Sequence, residues 1–488
     1  MTNPPSKVLE PSSDSRLIPK VLFRYRFALG LGYFALFFTG QGIHILAVPF
    51  YQMTLGVNPF LLGVVMAVPM LLGSSIGPLA GHLSDSVNLD RSTPPTSGTI
   101  AAIVYGWFQR YGRRRPFIFF AAWGTGICYG LVWMVPEAWG GNAQLLYLAI
   151  TATLFYICAA FFTVPLNGLC YDITSDYHQR TRVMGFTAYF LKFASLLYQW
   201  VFPLAQLAVF GGILIGVRAV GWGLGIMVFG VLGMIPALLV KEHSEVQLKA
   251  RKRYSLSGSL RAVTSNPAML VLIVLTLLQM GGAAFAATMD YYLLVYFVHG
   301  GDIAEGAFWK AALSTAYALV SIACVPLVTG MSVRFGKLNA LKLIYVVNAV
   351  GGVAKWFLFT PGAEWMILLD AVLCGAVWTA MVVLIPSMIA DLSHEHQQKG
   401  QSSRAGVFAS VHGWTLSISS VIALLLSGLS LSLCGFDANL GAGQPPQSIY
   451  IMRILLVGGT IVFSLLPLLV LVYFRIQRPH ILAPWGIR

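Results

Sequence analysis

Six side chains able to carry charge stand inside long apolar stretches of this 488-residue chain: His44, Lys192, Asp290, Lys355, Asp370 and His412. Placing a charge inside hydrocarbon costs about 2.5–3.5 kcal/mol on insertion scales, so each is a candidate for function. Asp290, followed by Tyr291, is the carboxylate set deepest in its stretch. Such a group either binds a hydroxyl-bearing solute through paired hydrogen bonds, or takes up and releases a proton; a structural partnership with another helix is the alternative. An imidazole titrates near neutrality, which suits His44 to a proton relay; a hydrogen bond to a backbone carbonyl is the alternative. Lys355 and Asp370 lie a few residues from the ends of adjacent stretches and read as a structural ion pair, or as a snorkelling lysine beside an acid. Lys192, near the start of its stretch, is either a binding group or another snorkelling cation.

Other chemistries find no support. The six cysteines fall singly in apolar runs without metal-ligand spacing, and His394-Glu395-His396 lacks a third helical ligand. No Gly-x-x-x-x-Gly-Lys-Ser/Thr loop occurs, and no constellation fits a membrane-embedded enzyme. Neither a metal nor a cofactor is expected.

The elements holding these residues are helices in lipid. The chain is 57% hydrophobic and 10% charged, whereas a soluble domain carries roughly 25% charged residues. A spanning helix needs about 20 apolar residues. Twelve runs qualify: 27–52, 59–84, 115–136, 144–170, 183–213, 219–241, 267–298, 306–330, 336–360, 363–392, 403–434 and 450–475. The alternation of a β-barrel is absent. Residues 1–23 are polar and do not form a secretory signal. With the N-terminus in the cytoplasm, 26 of the 31 Lys and Arg fall in inside segments. Arg218, Lys310 and Arg453 fall outside, and Lys192 and Lys355 lie within runs. This asymmetry predicts cytoplasmic termini, and it accounts for the +14 charge without a nucleic-acid partner.

A polar stretch, 242–266, divides the chain six runs from six. The expected organisation is a tail (1–26), a first bundle (27–241), a cytoplasmic linker (242–266), a second bundle (267–475) and a C-terminal tail (476–488). Anchors repeat between the halves. RYGRRRPFI (110–118) answers VRFGK (333–337), and PLNGLCYDITSDYHQRTR (165–182) answers PSMIADLSHEHQQKGQSSR (386–404). FYQMTLG (50–56) answers VYFVHGG (295–301), which puts His44 within one residue of the counterpart of Asp290. Such repeats place a site between the halves, near mid-membrane.

GPLAGHLSD (77–85) with RYGRRRPFI resembles the loop signature of major facilitators, and GRRRPFI is similar to that of plant sucrose transporters. The blocks around Pro165 to Arg182 and at Asp391 resemble the glycoside–pentoside–hexuronide:cation symporters, which include the melibiose permeases. The resemblance spans the chain through spaced anchors. It implies an all-α membrane protein of twelve transmembrane helices in two pseudo-symmetric six-helix bundles, residing as a multi-pass protein in a bacterial inner or plasma membrane. The implied function is a secondary carrier of a small-molecule solute, a sugar or glycoside, coupled to a proton or other monovalent cation by alternating access. A carrier of another organic solute, or an uncoupled facilitator, is the alternative.

The resemblance further implies that the first, fourth, seventh and tenth helices line a cavity. The fifth, eighth, second and eleventh stand beside them, and Gln41, Thr163, Asn167, Trp378 and Trp414 on these helices offer hydrogen bonds and stacking faces, with ordinary packing as the alternative for each. Asp85, Arg110, Arg113, Arg114, Arg115, Asp172, Arg180 and Asp391 are implied gate residues; the arginines alone also read as headgroup anchors in membrane lipid. Two departures stand out. An insert, 86–109, separates Asp85 from its arginines and is too short in its apolar part to span. Thr163, Gly73 and Gly77 replace the carboxylates that melibiose permeases use for sugar and sodium, so that cation site does not transfer.

Overall fold

The computed structural model describes residues 21–86, 110–171, 173, 177–241, 266–398 and 405–477. Nearly all of them are helical. The long helices are α1 (Phe23–Thr54), α2 (Pro59–Ser86), α3 (Arg115–Val132), α4 (Gly141–Tyr171), α5 (Tyr177–Leu197) and α6 (Ile213–Leu239). After the polar stretch come α7 (Pro267–Val298), α8 (Ile303–Phe335), α9 (Lys337–Leu358), α10 (Leu368–Gln398), α11 (Ala405–Leu433) and α12 (Pro446–Gln477). Among the described residues, ten helices are long and apolar enough to cross a membrane. The two that fall short are α3, which begins at Arg115, and α5, whose first turns read YHQRTR.

Local chemistry sets three of the helix starts. Asn58 accepts from the backbone N–H groups of Phe60 and Leu61, Asn266 from Ala268 and Met269, and Asp302 from Ala304 and Glu305. Each satisfies donors that the first helical turn leaves free. One apolar run was read too long. The run 183–213 does not form one helix: α5 stops at Leu197 and continues as short turns to Ala205, and the chain then reverses before Ile213. Hydropathy stays high there, but Pro203 and Gly211, with φ +70°, break the helical course.

The packing plan occurs twice. In the first six helices α2 and α3 pack on α4, α1 on α5 and α6, and α3 on α6. In the last six α8 and α9 pack on α10, α7 on α11 and α12, and α9 on α12. The matching helices α1 and α7 both finish in wider turns, Val48–Thr54 and Leu294–Val298, at the segments that repeat in sequence. Small residues allow the closest crossings: Gly126 of α3 and Gly225 of α6 meet backbone to backbone.

The two sets meet chiefly along α2 with α11 and α5 with α8. Close approach is concentrated where α2 begins and α11 ends. A Cβ on Gly428 would lie 2.7 Å from the Pro59 carbonyl oxygen, and one on Gly63 would lie 3.2 Å from that of Leu424. Nearby, the Trp200 indole donates to Thr315 Oγ1 (3.0 Å) and packs edge-on against Phe308. These contacts hold the sets together at the end where α1 and α7 finish.

Candidate functional site

A cavity of about 440 Å³ lies between the two sets. On one wall, α1 presents Gln41 and His44, α5 presents Lys192 and Ser195, and the turn after α5 presents Gln199, the two residues on each helix being spaced to share a face. On the other, α7 presents Asp290 and Tyr291, α8 presents Lys310, Ser314 and Tyr317, α9 presents Lys355, and α10 presents Trp378. His44 and Asp290, which the repeat pairs, thus line one space. Among the described residues neither the His44 imidazole nor the Lys192 ammonium has a hydrogen-bond or ion-pair partner.

An ion network forms the second wall. The Lys355 ammonium donates to Asp290 Oδ1 (3.1 Å) and to Asp370 Oδ2 (2.5 Å). Tyr317 donates to the same Asp370 oxygen (2.6 Å), whose fellow Oδ1 is buried without a partner among the described residues. Lys310 donates to the Ala287 carbonyl (2.7 Å), and its ammonium lies 3.8 Å from Asp290 Oδ2. Asp370 is 0% exposed, Lys355 2%, Asp290 3% and Lys310 8%, so the groups neutralise one another out of water. Four helices, α7 to α10, contribute one ion each. Burying such a set is favourable only with close pairing, and removing one member leaves an uncompensated charge.

The network extends one sequence expectation and corrects another. Lys355 and Asp370 do pair, but Lys355 also reaches the cavity and bridges to Asp290, because α9 turns this residue inward rather than out to the headgroups. Lys310, placed outside the membrane by its nearness to the start of α8, is a buried member of the network. Its position two turns into α8, on one face with Ser314 and Tyr317, is the signal that helical periodicity offered.

Other candidates lie elsewhere. Asn167 accepts from Tyr33 (2.7 Å), tying α4 to α1, and Thr163 points back at the Ala160 carbonyl. Trp414 is exposed on α11, and His412 Nε2 is buried without a partner among the described residues. None of these four lines the cavity. Of the gate residues, the side chains of Asp85 and Arg180, and Asp172 entirely, lie outside the described residues, as does the insert 87–109. Arg110 is exposed at the start of the described segment 110–171 and stacks on Tyr111, and Arg113 is half-buried. Arg114 is buried against Gly168 of α4. Arg115 donates to the carbonyls of Ala237 and Leu238 and so caps α6. Lys337 donates to Ser387 (2.6 Å) and pairs with Asp391 (2.5 Å), binding the start of α9 to α10.

Gln279 was not anticipated. It accepts from Tyr345 (2.7 Å) and donates to the Val377 carbonyl (3.3 Å), joining α7, α9 and α10 beside the cavity. Within its apolar run it resembles any tolerated amide, and only the crossing of three helices reveals the role.

Comparison with known proteins accords with this architecture. A bacterial homologue of the human lysosomal transporter Spinster, in an inward-facing and unoccupied conformation, superposes with a TM-score of 0.64 over 95% of this chain and 98% of its own at 17% identity. A D-xylose–proton symporter gives 0.61 over 92% and 97% at 12% identity, and the nucleoside transporter NupG gives 0.60 over 91% and 98% at 11% identity. At such identities the likeness concerns the fold. By sequence, no curated protein matches. The family described as MFS/sugar transport protein matches residues 95–478, and the chain belongs to that family. It is a multi-pass membrane protein with the fold of the major facilitators.

Proposed function

We propose that this member of the MFS/sugar transport family is a secondary carrier of a sugar or glycoside, coupled to protons, working by alternating access between two six-helix bundles, 27–241 and 267–475. The observation carrying this reading is the cavity between the two sets, where an ion network joined to Asp290 opens opposite His44 and Lys192, which have no partner among the described residues. A carrier needs a binding space reachable from one side at a time, and a group whose charge state changes how the empty and loaded forms reorient. The contacts of Gly428 with Pro59 and of Trp200 with Thr315 hold one end together. Asp290 is the carboxylate facing the cavity, and Lys355 links its charge state to Asp370 and so to α10. The glutamines, Tyr291 and Trp378 supply hydrogen bonds and stacking surfaces suited to a hydroxyl-rich ring.

The resemblance to melibiose permeases supports the substrate class and both cytoplasmic termini. Thr163, Gly73 and Gly77, in place of that family's carboxylates, favour a proton over sodium. Purified protein in proteoliposomes is expected to accumulate labelled disaccharide only under an imposed pH gradient, sodium making no difference. Equal uptake without the gradient would instead identify an uncoupled facilitator.

A further inference from the structure

Two carboxylates in the ion network share one ammonium, and they share it unequally. Lys355 lies 2.5 Å from Asp370 Oδ2 and 3.1 Å from Asp290 Oδ1. Asp290 lines the cavity, whereas Asp370 is fully buried behind its wall, out of a solute's reach. The Asp370 oxygen that takes Lys355 also accepts the Tyr317 hydroxyl at 2.6 Å. Tyr317 lines the cavity but turns its polar end away from it, onto that acid. The charged groups facing Asp290 are Lys355 of α9, Lys310 of α8 at 3.8 Å and Asp370 of α10. Tyr291 and Tyr292 stand beside it on α7, His44 lies across the cavity on α1, and Cys374 follows Asp370 by one turn of α10. Among the described residues α11 and α12 bring no charge to it.

A buried carboxylate takes a proton more readily as its counter-charge withdraws. Where Lys355 stands between the two acids therefore governs when Asp290 loads. We infer that Asp370 and Tyr317 are positioning residues for proton coupling: together they fix how much of the Lys355 ammonium Asp290 receives, and so the pH at which the carrier takes up its proton. This rests on the proton-coupled reading above and deepens it by placing the control behind the cavity wall. The two residues act in opposite directions. Ionised Asp370 draws Lys355 away from Asp290, and the Tyr317 hydroxyl offsets part of that pull by donating to the same oxygen. When a proton from the cavity reaches Asp290, its bond to Lys355 gives way and the ammonium keeps Asp370 as partner. No lone charge is then left buried, which a single ion pair could not provide.

Infrared spectroscopy of the purified protein tests this without a solute, because a protonated carboxyl shows a carbonyl stretch that a carboxylate lacks. The wild type is expected to show such a band titrating with pH, and Asp290→Asn to lack it. Asp370→Asn leaves Lys355 to Asp290 and should move the midpoint down by about one pH unit, the tenfold change in proton affinity that one charged contact carries. Tyr317→Phe should move it up by about half a unit. A purely structural role would lower the melting temperature and leave both midpoints in place. Should Asp370→Asn fail to fold, the rise in Tyr317→Phe decides alone. Unmoved midpoints, or a fall in Tyr317→Phe, overturn the inference and leave proton coupling through Asp290 standing. A wild type with no titrating band overturns both.

Discussion

The two sets of six helices share a packing plan and differ in what fills its middle. Around α1 and α3 the first set is held by rings. Tyr51, Tyr129, Trp133, Phe155 and Phe229 pack edge-on or tilted, Tyr51 donates to the Val132 carbonyl (2.6 Å), and Tyr129 donates to that of Gly42 (3.0 Å). Trp133 stands as far past the first residue of α3 as Lys355 stands past that of α9. Where one set has a fully buried indole, the other has the ammonium that ties Asp290 to Asp370. The difference separates frame from response. Ring packing depends little on solute or proton, whereas an ion network is rearranged by either. The duplicated architecture thus keeps a stiff wall carrying Lys192 and His44, and a responsive wall carrying Asp290.

Breaking that contrast at its two matching positions should give the largest effect. Lys355→Met leaves Asp290 and Asp370 buried without their shared counter-charge and should cost about 3–5 kcal/mol, with uptake abolished. Trp133→Phe, in the corresponding place, should cost about 1–2 kcal/mol and leave coupling intact. Thermal unfolding and proteoliposome uptake of both variants decide it; equal losses would erase the distinction between the walls. Next in size is Asp290→Asn, expected to abolish accumulation against a gradient while sparing exchange of labelled for unlabelled solute. A mutant that still concentrates solute with normal pH dependence would move the coupling role to His44.

Smaller effects test how the walls meet. Gly428→Val wedges α11 away from Pro59 and should weaken the closed end by about 1–3 kcal/mol. Cysteines at Phe60 and Leu429 should then cross-link about tenfold more slowly, with overall stability little changed. The smallest compares two arginines that tie matching helices. Arg453 of α12 donates to the Trp356 carbonyl at the end of α9 and lies between the rings of Trp356 and Phe297, 4.2 and 4.4 Å from their centroids. Arg218 of α6 donates to the Val135 carbonyl after α3 and pairs with the exposed Glu137 at 3.5 Å. Arg453→Gln should destabilise by about 1–2 kcal/mol, and Arg218→Gln by less than about 1 kcal/mol. A reversed order would show that stacking adds nothing at this end.

Much of this was legible in the sequence because it is local. Hydropathy marks where lipid replaces water, so each apolar run coincides with much of a long helix. The repeat between 50–56 and 295–301 put His44 within one residue of the counterpart of Asp290, and both line one cavity. What tertiary structure alone decided is which charges meet. Asp290, Lys310, Lys355 and Asp370 come from four helices and up to 80 positions apart, and one residue of helical advance turns a side chain by about 100°. A run of hydropathy carries no record of that rotation, so Lys310 reads as a loop-end cation and Thr163 as a wall residue until neighbouring helices set their angles. The end of α5 was hidden for the same reason, since lipid accepts Pro203 and Gly211 as readily as a helix interior does. The sequence by itself decided that the chain would be a repeated bundle of apolar helices with a few buried ions; the crossing of the helices decided that four of those ions form one network and left Lys192 outside it, across the cavity.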